Sequence, residues 1–63
     1  MKVEVITEKR RDDWIAYIEG HPETQEAAPT RIGAVAKLRS RSTTTIYENG
    51  RIYFILNEVI AVP

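Results

Sequence analysis

The dipeptide Asn49-Gly50 leaves this chain fewer folding choices than any other feature of its sequence. A two-residue type I′ turn needs positive φ at both central positions, and Asn followed by Gly meets that need at least cost. On one side stands Thr43-Thr44-Thr45-Ile46-Tyr47, on the other Arg51-Ile52-Tyr53-Phe54-Ile55-Leu56, both rich in β-branched and aromatic residues. The short loop then dictates register: Glu48 opposite Arg51, Tyr47 opposite Ile52, Ile46 opposite Tyr53, Thr45 opposite Phe54. Within the second strand Ile52, Phe54 and Leu56 point one way and Tyr53 and Ile55 the other. A strand that is apolar on both faces expects cover on both. One helix can cover only one face of a sheet, so either a partner or the apolar tail containing Val59, Ile60 and Val62 must supply the rest. The partner is the reading carried forward, with Tyr47, Ile52, Tyr53, Phe54, Ile55 and Leu56 as its contact residues.

The remainder of the chain reads as the body on which that hairpin is mounted. Residues 2–8 alternate with period two, Val3, Val5 and Thr7 on one face and Lys2, Glu4, Ile6 and Glu8 on the other. The polar residues 8–13 form a loop, and Trp14-Ile15-Ala16-Tyr17-Ile18 the return strand. Gly20-His21-Pro22 closes it. Residues 23–27 fit either a short third strand at the sheet edge or an irregular approach to the helix. That helix begins at Pro29 or Thr30, with Thr30 as N-cap, and runs to about Ser40. Ile32, Val35, Ala36 and Leu38 make its core stripe; Lys37 and Arg41 point outward, and Arg31 and Arg39 flank the stripe. Gly33 is explained by close packing against the sheet, and Ser40-Arg41-Ser42 ends the helix. The order β-β-(β)-α-β-β predicts an α+β fold: an antiparallel sheet with one helix on one face, as a single domain over residues 1–63.

Size sharpens the expectation of a partner. A chain of 63 residues buries a modest share of its surface, and small domains recover stability from disulfides, a metal or oligomerisation. There is no cysteine, and with His21 as the one histidine no compact zinc set can form. No cofactor or metal is therefore expected, and a homodimer is. The absence of cysteine fits a reducing, cytoplasmic setting. No leader-like apolar stretch opens the chain, and the run at residues 52–56 is far too short to span a bilayer, so no membrane association is expected.

Chemistry has little to work with. His21 precedes a proline at a strand end and reads as part of a turn. Asp12 and Asp13, beside Arg10 and Arg11, read as a solvated loop. The glycines at 20, 33 and 50 are scattered singly, so no phosphate loop exists. The chain is expected not to be an enzyme. Nucleic-acid binding is the alternative: Arg31, Lys37, Arg39 and Arg41 give one helix four positive charges and no negative one, the clustering that phosphate contact requires. Set against it, cations late in a helix also favourably oppose its dipole.

Three features resemble the HicB-like antitoxin family over about residues 3–40. Trp14-Ile15-Ala16-Tyr17-Ile18 stands where that family has an aromatic residue and an Ala-Tyr-like pair. Gly20-His21-Pro22-Glu23 follows at the turn out of the second strand. Thr30, Ala34 and Leu38 repeat a Thr, Ala, Leu pattern at four-residue steps. The resemblance implies a partial ribonuclease H-like fold lacking that fold's catalytic carboxylates, and a protein that neutralises a small RNA-cleaving toxin by covering it and often dimerises. Arg31 and Lys37 replace acidic residues common in the family's helix. The C-terminal hairpin departs from the usual ending, with no room after it for a DNA-binding domain.

Overall fold

The computed structural model describes residues 1–39 and 44–56. Its elements are β1 (Lys2–Lys9), β2 (Trp14–Ile18), β3 (His21–Ala28), α1 (Arg31–Leu38), β4 (Thr44–Glu48) and β5 (Arg51–Ile55). They build a five-stranded sheet in the order β3-β2-β1-β5-β4, antiparallel at every pairing, with α1 packed on one face. This is the expected α+β class, and residues 23–27 resolve into strand. Pro22 sits near the start of β3, an edge strand, where its missing N–H costs no ladder bond. The closing turn is therefore tighter than expected: Gly20, at φ 83°, makes it, and His21 already pairs with Ile18.

The C-terminal hairpin forms in the register its turn demands, from Glu48 opposite Arg51 to Thr45 opposite Phe54. Asn49 and Gly50 take φ of 52° and 75°. On the other side β5 pairs with β1, and the ladder continues one pair further, where Leu56 N–H donates to the Met1 carbonyl at 2.7 Å and the Met1 nitrogen to the Leu56 carbonyl at 3.0 Å. The first loop is closed by Arg10 and Asp13. Their backbones bond at 2.8 Å, and the guanidinium grips the carboxylate through two 2.7 Å bonds. That hydrogen bonding holds the Asp13 carboxyl below the usual carboxylate range.

Beneath α1 the core gathers Val3 and Val5 of β1, Ala16 and Ile18 of β2, Ala28, Ala34, Val35 and Leu38, and Ile52, Phe54 and Leu56. Phe54, Ile18 and Leu38 are its largest fully buried side chains. The helix departs from the expected stripe. Ala34, Val35 and Leu38 are buried, whereas Ala36 is exposed and Ile32 is 79% exposed. A helix about 10–12 Å across cannot roof five strands spaced about 4.8 Å apart. α1 lies over β1, β2 and β3, so Ile32 overhangs the hairpin half instead of entering the core.

Thr30 caps α1, its hydroxyl accepting from Gly33 N–H at 2.9 Å. A Cβ at Gly33 would come within 2.9 Å of that same oxygen and 3.1 Å of the Ala28 Cβ, which is the close packing the sequence called for. Thr30→Ala is expected to cost about 1 kcal/mol. Urea titration by circular dichroism measures it, and Thr30→Ser should recover most of the loss.

Arg41 and the expected helix end at Ser40-Arg41-Ser42, together with Thr43, Val59, Ile60 and Val62, lie outside the described residues.

Candidate protein-interaction surface

Because α1 packs mainly over β1–β3, the helix-side face of the β4–β5 hairpin forms the floor of an open groove. Tyr47 and Ile52, a cross-strand pair, project into it from the hairpin. Ile32 and Val35, one helical turn apart, form the opposite wall, with Arg31 at one end. The groove has a volume of about 300 Å³. Its walls carry two of the chain's large exposed apolar side chains, Ile32 and Tyr47, the latter 70% exposed. Arg31 is steadied by its Nε donating to the Thr7 hydroxyl at 3.1 Å.

The contact residues expected from sequence therefore divide. Ile52, Phe54 and Leu56 are buried in the chain's own core, Ile52 meeting the groove only as its floor. They are corrected from partner contacts to packing residues, since β5 lies between β1 and β4 and turns these side chains toward α1. Tyr53 and Ile55 are half-buried on the opposite face, and Tyr47 alone of the six is well exposed.

That opposite face has cover of its own. Lys2 Nζ stands 4.5 Å above the Tyr53 ring and 3.9 Å from the Glu48 carboxylate. The Arg51 guanidinium also acts on this face: polar interaction with the Tyr53 side chain, followed by the Glu4 charge, holds it above its ordinary pKa. Long charged side chains thus lie across the apolar centre while their heads stay wet. These charged side chains account for the half-buried state of Tyr53.

The basic residues are dispersed in their duties. Lys37 Nζ donates to the Ala27 carbonyl at 2.7 Å, tying the helix to β3. Arg39 closes the helix, its N–H bonding back to the Lys37 and Val35 carbonyls. His21 Nδ1 lies 3.1 Å from Glu23 Oε2 on the β3 edge, away from the groove lining. Among the described residues no group of three or more His, Asp or Glu side chains could hold a metal ion, and no helix is long and apolar enough to cross a membrane.

Sequence reasoning misses one element of this surface, the exposure of Ile32. Ile32 falls on the apolar stripe of the helix, because helical periodicity finds a stripe but not how wide a roof it makes. The signal available was arithmetic, one short helix against five strands. Outside the groove lining, strand alternation also does not reveal that the Thr45 hydroxyl is buried without a hydrogen-bond partner among the described residues.

No family model matches this chain, and no curated protein or solved structure matches it.

Proposed function

We propose that the chain is a non-catalytic protein-interaction module of the HicB-like antitoxin type, working in the cytoplasm, which neutralises a small RNA-cleaving toxin by covering it. The observation that carries the reading is the pairing of Ile32 and Tyr47, 79% and 70% exposed, on facing walls of one apolar groove. Exposed apolar side chains gathered around one concavity are the usual mark of an interaction site. The succession β1-β2-β3-α1 also agrees with the family resemblance over residues 3–40, and the absence of cysteine with the compartment. The nucleic-acid alternative has less behind it, since Arg31 and Lys37 are engaged by Thr7 and the Ala27 carbonyl.

The test is co-expression with a small basic protein encoded beside this one. Wild type is expected to relieve the growth arrest that protein causes. Ile32→Asp/Tyr47→Asp is expected to fail while keeping the wild-type circular dichroism spectrum. Equal rescue by the double variant, or no rescue by wild type, counts against the reading.

A further inference from the structure

The two edges of the sheet are built differently. β3 carries Pro22, which cannot donate to a further strand, and the charges of Glu23 and Glu26. Its ladder with β2 is also broken by a register shift between Ala16 and Ile18. Each of these discourages strand addition. β4 has no proline and no register shift: Thr44, Thr45, Ile46 and Tyr47 are all β-favouring, and the charge of its one acidic residue, Glu48, is drawn toward Lys2.

Parity identifies the unpaired backbone groups of β4. Leu56 and Met1 exchange both bonds, so Phe54 and Ile52, at two-residue steps along the strand, turn their N–H and C=O toward β1. Their partners across the hairpin, Thr45 and Tyr47, occupy non-hydrogen-bonded positions and turn those groups away from the sheet. Among the described residues nothing pairs with that edge.

We propose that the β4 edge pairs antiparallel with the β4 edge of a second copy of this chain, about a two-fold axis at Ile46. This rests on the interaction reading above and names a partner for the same half of the molecule. An antiparallel edge is its own complement about a two-fold axis. In this register Thr45 of each copy exchanges both backbone bonds with Tyr47 of the other, so every outward group of the described strand is matched. Sliding the axis one residue toward the turn instead sets Thr45 against Asn49, whose φ of 52° is not a strand conformation. With the axis at Ile46, the two isoleucines meet on the face that already carries Tyr53, and Glu48 lies opposite Thr44, so no like charges are opposed. The formal net charge of +0 adds no mutual repulsion between copies.

Light scattering across a concentration series, with three variants, tests this. Wild type is expected to reach twice the monomer mass. Ile46→Lys, which sets two ammonium groups face to face at the axis, should remain at monomer mass with an unchanged circular dichroism spectrum. The chain has no cysteine, so one introduced thiol reports register. Ile46→Cys should oxidise to a covalent dimer, because non-hydrogen-bonded partners stand about 4.5 Å apart at Cα, within disulfide range. Thr44→Cys should not, because the two thiols would be separated by about 13 Å along the strands. Self-pairing at this edge is overturned by a wild type that stays monomeric, by a dimer that survives Ile46→Lys, or by cross-linking of Thr44→Cys as readily as Ile46→Cys. A monomeric wild type would still leave the toxin-binding groove to be judged by the Ile32→Asp/Tyr47→Asp rescue experiment.

Discussion

Phe54→Ala is expected to cause the largest loss of stability of any single truncation in this chain. Phe54 is fully buried, the largest side chain in that position, on the strand that joins the hairpin to β1. Truncating a buried phenylalanine costs about 3–5 kcal/mol, from lost apolar transfer and from the cavity left behind. Against this, a chain of 63 residues has roughly 3–9 kcal/mol of total stability. The loss consumes from about a third to all of what is available. Tyr47→Ala, two residues along in the cross-strand lattice but 70% exposed, should shift stability by about 0.5 kcal/mol or less. Paired urea denaturation curves measure the contrast. Comparable losses at the two positions would mean that β5 is not the centre of the core.

That contrast marks how far the sequence could be read. Alternation along residues 52–56 correctly separates Ile52 and Phe54 from Tyr53 and Ile55, and Asn49-Gly50 fixes the register, because both are local properties of backbone geometry. What alternation cannot say is which of two apolar faces meets the helix. Aromatic and aliphatic residues populate both, and the decision rests with the position of α1, a long-range matter. The same limit misplaces Ile32: period 3.6 finds the apolar side of the helix, whereas its exposure depends on the helix ending its cover at β1. The groove is therefore illegible from the pattern alone, although Ile32, Val35, Tyr47 and Ile52 are each conspicuous in the sequence. The cover over Tyr53 was hidden for a related reason. Lys2 approaches that ring from the neighbouring strand β1, and a linear reading sees it only as a charge.

The β3 strand stays one of two alternatives in the sequence for a different reason, and its central residue gives the second large effect. Between Ala16 and Ile18 β2 advances normally, while β3 travels from His21 to Glu26. That excursion takes the ladder partner away from the Ile18 amide. Thr24 replaces it: its hydroxyl accepts from Ile18 N–H at 2.9 Å and donates to the His21 carbonyl at 2.7 Å, and the residue is only 3% exposed. A polar stretch such as Glu23-Thr24-Gln25-Glu26 offers no apolar alternation, so nothing in it announces a buried position. Thr24→Val keeps the shape and removes both bonds. It strands a buried N–H and weakens a carbonyl, at about 1–3 kcal/mol for the unsatisfied donor. Thr24→Ser keeps the oxygen and loses only a methyl group, so it should retain the greater part of the stability. Two measurements separate this account from simple packing: urea denaturation for the magnitude, and amide hydrogen exchange for the location. In Thr24→Val the Ile18 amide should lose more protection than amides of β5, and in Thr24→Ser it should keep it. If Ile18 stays as protected in the valine variant as in wild type, the hydroxyl is not what holds the irregular edge to the sheet.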